Sequence, residues 1–183
     1  MPYTWTPPVT WVATDVPDYT DMNDISENLR FLHTKDRVHV YDSADQSIGD
    51  AGWELMTWDS EEYDNNDMHS TSSTTARLSC KSDGLYLVEF KIAFASNTTG
   101  VRRVMLRKNS AGSDSGGSTL GTWNEDALTG QQTTVSGGRG VVLNTGGSPN
   151  DYIECFVWQD SGAALNVVAG ASTSFVQMMQ ITG

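Results

Sequence analysis

The sequence predicts an all-β antiparallel sandwich of the jelly-roll kind, and three observations carry that prediction. A tight turn at Asp83-Gly84 runs into a long alternating segment. Tyr86, Val88, Phe90, Ile92 and Phe94 fall on one of its faces, and Glu89, Lys91 and Ala93 on the other. Side chains alternate with period two along a strand, so one face enters a core and the other meets solvent or a neighbour. Turn signals then recur along the chain, at Asp50-Ala51-Gly52, Gly112 to Gly117, Gly137-Gly138, Gly146-Gly147-Ser148-Pro149 and Ser161-Gly162. Between them lie short apolar or alternating runs, giving strands at 38–42, 53–58, 76–80, 85–95, 101–108, 119–123, 132–136, 139–144, 152–158, 164–169 and 174–181. Many short strands at such spacing pack as two antiparallel sheets.

A chain of 183 residues with 38% hydrophobic content and 17 glycines can bury a core without staples. The formal net charge of −12 excludes nucleic acid as a partner, because Lys and Arg must supply the attraction to phosphate. No apolar run approaches 18 residues, so no membrane-spanning helix is expected. Cys80 and Cys155 lack any CxxC spacing and sit in apolar strand patterns, which predicts two reduced, buried thiols. The first residues, Met1-Pro2-Tyr3-Thr4-Trp5, carry neither a basic stretch nor an apolar segment. They are not expected to form an export signal, so the product is expected to be soluble and made in a cytoplasm.

Two regions follow from the pattern, an attachment region over residues 1–35 and a jelly-roll domain over 36–183. Within the first, Tyr3, Trp5, Pro7, Pro8 and Trp11 read as an extended arm, since proline removes donors and fixes φ. Aromatic residues on such an arm are costly to leave wet, so they are expected to dock on a larger particle. A helix follows at about 21–33, with Thr20 as its cap. Met22, Ile25, Leu29 and Leu32 form one narrow apolar stripe on it. Such a stripe either packs on its own domain or forms a seam between copies.

The segment Cys80-x-x-x-Gly84-Leu85-Tyr86-x-x-x-Phe90 resembles the hallmark of the tumour-necrosis-factor-like jelly rolls, above all the globular head of the first complement component. Val88 stands where that group has its aromatic, and Phe90 follows two residues on. Three further segments match in order. Val104 to Asn109 resembles the strand ending in Lys-Asn, and Asn150 to Val157 resembles the Gly-Asp-x-Val-x-Leu strand. Ser174 to Met179 stands in the place of the closing strand, with its Phe displaced and its Gly absent. The resemblance covers residues 40 to 183 and implies a ten-strand jelly roll that forms a tight homotrimer. Alternation places Ile153, Cys155 and Val157 inward and Tyr152, Phe156 and Trp158 outward, where large aromatics mark a subunit interface. The opening Trp11-Val12-Ala13 followed by Asn23-x-x-x-x-Asn28-Leu29-x-x-Leu32 is similar to the N-terminal attachment segments of tailed-phage structural proteins. That likeness implies a virion protein assembled in the host bacterial cytoplasm, bound to capsid or tail proteins.

No catalytic constellation is expected. His33, His39 and His69 lack metal-ligand spacing, there is no Gly-x-Ser-x-Gly elbow, and Ser136 to Gly140 lacks the Lys-Ser/Thr of a phosphate loop. Asp59, Glu61, Asp64 and Asp67 form the one acidic stretch whose oxygens could gather around calcium, against the plainer reading of a solvated loop. Trp123, near the Gly/Ser-rich loops, is the candidate platform for a host surface polysaccharide. The expected function is therefore a non-enzymatic, homotrimeric capsid decoration protein without a cofactor. The alternative is a tail-fibre or receptor-binding module that grips a host glycan.

Overall fold

The computed structural model describes residues 18–33 and 35–182. The chain divides into two compact units, Met1–Lys35 and Asp36–Gly183. The arm residues Tyr3, Trp5, Pro7, Pro8 and Trp11 lie outside the described residues.

In the first unit, helix α1 spans Tyr19–His33. It starts two residues earlier than the spacing predicts because Asp18, not Thr20, caps it. Asp18 Oδ1 accepts hydrogen bonds from the Thr20 amide at 2.7 Å and the Asp21 amide at 3.0 Å. Asp21 Oδ2 in turn accepts from the Asp18 amide at 3.0 Å, so the orphan donors of the first turn are satisfied reciprocally. Met22, Ile25 and Leu29 are exposed; the side chain of Leu32 lies outside what is described.

The second unit is the predicted antiparallel sandwich. Its seven-stranded sheet runs in the order β2 (Gln46–Ile48), β11 (Leu165–Val167), β6 (Gly84–Phe94), β12 (Phe175–Thr182), β1 (Arg37–Tyr41), β4 (Ser60–Asp64), with β9 (Thr133–Leu143) also paired to β6. The five-stranded sheet runs β3 (Glu54–Leu55), β10 (Tyr152–Gln159), β7 (Val101–Lys108), β8 (Ser118–Asp126), with β5 (Arg77–Ser79) also paired to β10. Between the sheets lies one apolar core, to which β6 gives Tyr86, Val88, Phe90, Ile92 and Phe94, and β10 gives Ile153, Cys155 and Val157. Both cysteines are free and buried, as their patterns predict.

The residues that carry the family likeness have structural work. Gly84 sits at φ 152°, and a Cβ there would collide with the Thr182 carbonyl oxygen. Glycine is thus required where β6 starts beside β12. The Tyr86 hydroxyl, inside the core, lies 3.0 Å from Asp36 Oδ2 and 2.9 Å from the Ser82 carbonyl oxygen. Lys108 and Asn109 clamp the start of β10. Lys108 Nζ is 2.7 Å from Asp151 Oδ2, Asn109 Nδ2 donates to Asp151 Oδ1 at 2.6 Å, and Asn109 Oδ1 accepts from the Tyr152 amide at 3.0 Å.

Two expectations about strands need correction. The segments 132–136 and 139–144 are one strand, β9, and Gly137-Gly138 is no turn. An added Cβ at Gly137 would lie 2.6 Å from Trp123 Nε1, and one at Gly138 would lie 2.9 Å from Glu89 Cγ. These glycines let neighbours approach a straight strand. The acidic segment at 60–64, read as a loop, is strand β4 on the edge of the larger sheet, paired with β1.

Candidate interaction surface

The aromatic residues expected on the outer face of β10 are placed there and are already covered. Tyr152 is 5% and Phe156 2% exposed within one chain. The β7–β8 loop, residues 109–117, runs over this face. The Ala111 amide donates to the Tyr152 hydroxyl at 3.0 Å, and the Gly112 amide donates to Glu154 Oε2 at 3.0 Å. Ser110 Oγ also donates to that oxygen, while Arg77 Nε donates to Glu154 Oε1 at 3.0 Å. From β7, Arg107 fastens the loop through the carbonyl oxygens of Gly116 at 2.7 Å and Asp114 at 2.6 Å. Trp158 is partly exposed and carries the Arg103 guanidinium 4.2 Å above its ring. Tyr152 and Phe156 are therefore packed within the subunit, which leaves Trp158 as the more exposed aromatic of the three. Alternation gave their direction correctly, but it carries no information about a loop that folds back over them.

Trp123 is likewise taken up by packing. Its ring meets Phe90 edge-on at 4.9 Å between centroids and lies against Gly121 and Gly137. Trp123 stays partly exposed beside these contacts.

The acidic stretch does not converge on an ion. Asp64 accepts backbone bonds from Asn66, Met68 and His69 at 2.8–3.1 Å. Asp59 accepts from the Ser43 amide at 2.7 Å and the Ser43 hydroxyl at 2.6 Å. Glu61 Oε1 is 2.7 Å from His69 Nδ1, and Asp67 sits at a left-handed turn with φ 52°. Among the described residues no group of three or more His, Cys, Asp or Glu is placed to hold a metal. A strand sends successive side chains to opposite faces, which separates these carboxylates rather than gathering them around one point.

In the second unit an exposed apolar patch lies on the outer face of the seven-stranded sheet. The register sets it out in rows. One row reads Val142 on β9, Leu85 on β6, then Ile181 beside the bulge in β12. The next reads Gly140, Leu87, Met179 and Arg37. Val142 is 58% exposed, and Met179 and Ile181 are each 46% exposed. No acidic residue stands in these two rows, although the chain has 23 acidic and 11 basic residues. The third row is polar: Gly138, Glu89, Gln177, His39 and Tyr63. Gln177 Nε2 donates to Glu89 Oε2 at 2.7 Å, and the Tyr63 hydroxyl donates to Gln177 Oε1 at 3.2 Å. Below it, Ser136, Lys91 and Phe175 border a shallow groove floored by Gly137.

Sequence reasoning missed this face. Its signal was present: β12 carries Met179 and Ile181 on one side and Val176 and Met178 on the other, and β6 pairs Leu85 and Leu87 with Tyr86 and Val88. A strand apolar on both faces is covered on both, by its own chain or another.

Titratable groups near this sheet are shifted by burial. His39 is held below the ordinary histidine value by desolvation, opposed by the Glu62 carboxylate 3.5 Å from its Nδ1. Asp42, just past β1, is pushed up to about 6 by burial. Burial also raises the Cys80 thiol to about 11 and the Cys155 thiol further, which keeps both protonated and unreactive.

No family model and no curated protein sequence matches the chain. Its fold does match solved structures. Murine APRIL at pH 5.0 superposes with a TM-score of 0.59 at 11% identity, covering 81% of this chain and 100% of that one. The Eiger TNF of S. frugiperda gives 0.57 at 12% identity, covering 81% and 93%. The globular domain of zebrafish complement 1qA gives 0.54 at 17% identity, covering 81% and 98%. The chain therefore has the tumour-necrosis-factor-like jelly-roll fold shared with the complement globular heads. At these identities the likeness establishes the fold alone.

Proposed function

We propose that the protein is a non-enzymatic structural module that assembles as a homotrimer through the outer face of its seven-stranded sheet. Residues 1–35 fix it to a phage particle as a capsid decoration protein. The observation that carries the self-association is the apolar end of that face, with Leu85, Leu87, Val142, Met179 and Ile181 free of carboxylates. A second copy of so acidic a chain can approach closely only where like charges are absent. Exposed apolar side chains on a sheet face gain about 1.5–3 kcal/mol each when fully buried, which favours covering them. Closure at three copies is what the fold resemblance implies.

The non-enzymatic reading is supported by what the polar groups already do. His69 is held between Glu61 and the Thr75 carbonyl oxygen, and His39 stacks on Phe175. The virion assignment rests on the likeness of the N-terminal segment to tailed-phage attachment segments, and the stripe Met22, Ile25, Leu29 and Leu32 would bundle around the same axis. The alternative role in glycan capture has less support, because part of the Trp123 ring is engaged by Phe90.

The test is the double variant Val142→Asp/Met179→Asp, measured by light scattering after gel filtration. The parent should run as three chains and the variant as a single folded chain. A variant that keeps the parent's mass would place the contact elsewhere.

A further inference from the structure

The polar row of the outer face contains one imidazole, and its setting is unusual for a surface histidine. His39 points outward from β1 and yet is only 5% exposed. Its ring stacks on Phe175 of β12, with centroids 4.6 Å apart and planes 29° apart, and lies 5.7 Å from Tyr63 of β4. Nδ1 is buried and makes no hydrogen bond. The charged and titratable groups around it can be named from each neighbouring strand. On β4 stand Glu62, whose carboxylate is 3.5 Å from Nδ1, and Tyr63, while Glu61 is engaged by His69. On β1 itself stands Arg37, whose guanidinium lies 5.5 Å from the Tyr63 ring centre. Strand β12 contributes the uncharged Gln177, which is bonded to Glu89 on β6. Lys91, further along β6, is turned to the Ser172 carbonyl oxygen at 2.8 Å.

A neutral imidazole suits this apolar stack, whereas an imidazolium needs water or the Glu62 carboxylate, whose side chain is 58% exposed. Covering the face with another copy removes that water and disfavours the charged form further. Whatever binds only the neutral form is released when the proton binds.

We propose that self-association of this protein is gated by a proton at His39: the neutral ring permits contact between copies, and acid releases it. The gate rests on the reading of this face as the contact between copies. Within a single subunit burial already holds His39 below its ordinary value, so the gate acts on the acid side of that value and only through the further desolvation that assembly adds. Glu62 opposes the gate by stabilising the charged ring, so it sets the pH at which the gate acts.

The experiment is sedimentation of the full chain and of His39→Gln and Glu62→Gln between pH 7.5 and 5.5, with circular dichroism at each pH to confirm the fold. The dissociation constant of the parent should rise several-fold more than that of His39→Gln over this range, with the rise confined to its acid end, where the free subunit's ring takes up its proton. Glu62→Gln should move the parent's transition to lower pH. Parallel profiles for the parent and His39→Gln, with association intact at pH 7.5, would overturn the gate and leave the interface standing. A parent that is a single chain at pH 7.5 would overturn both. If His39→Gln fails to fold, the exposed Glu62→Gln decides alone, because an unmoved or raised transition contradicts the gate.

Discussion

At the scale of single residues, Asp42 carries the clearest linked energy in the fold. One of its oxygens accepts from the Asp59 amide at 3.2 Å, and the other is buried without a partner. Desolvation and the nearby Asp59 carboxylate raise its pKa from 3.8 to about 6, while that hydrogen bond opposes the rise. A carboxyl whose folded value is raised binds its proton more tightly folded than unfolded. Its contribution to stability therefore improves as pH falls from about 6 toward 3.8, and the penalty is full above 6. Asp42→Asn should stabilise the fold by about 2 kcal/mol at pH 7 and by almost nothing near pH 4. Urea unfolding at the two pH values measures this directly; an equal effect at both would show that charge burial is not the cause. His39 works in the opposite sense. Its lowered folded value means that stability falls as pH drops below the unfolded value of 6.5.

At the scale of elements, the sequence pattern was readable wherever a strand's burial is set by its own alternation. Strand β6 is the plainest case: Tyr86 to Phe94 alternate into the core as their spacing requires. Strand β9 was not readable, because what makes Gly137 and Gly138 necessary is Trp123 and Glu89, residues 14 and about 50 positions away that only the fold brings near. Strand β4 hid behind its acidity, since β-propensity on an edge strand is weakly expressed in composition. The outer face of β10 was half readable. Direction followed from period two, whereas the 109–117 loop is held over Tyr152 by separate bonds to Arg107 and Glu154, two buried charges whose contacts with the loop no local pattern announces. The helix stripe was legible as a stripe, with Met22, Ile25 and Leu29 exposed on one face. Deleting residues 1–35 should leave a folded, associated β-domain that no longer binds the particle. A pull-down on purified particles reads this, and retained binding would refute the proposed anchor.

At the scale of the whole molecule, the balance lies between a net charge of −12 on each copy and the apolar rows that the charge avoids. Repulsion between copies is long-ranged and screened by salt, with a Debye length of about 10 Å at 0.1 M, while burial of Val142, Met179 and Ile181 is short-ranged and insensitive to modest salt. Association should therefore strengthen as salt rises from low to physiological. This dependence separates it from a contact made through ion pairs, which salt would weaken. The fold supplies a two-sheet scaffold for that face. The most direct measurement is sedimentation equilibrium of the full chain at micromolar concentration and pH 7.5. The expected mass is three times the 19.9 kDa of one chain. A single-chain mass under those conditions would contradict the central claim that the apolar face of the seven-stranded sheet is where copies meet.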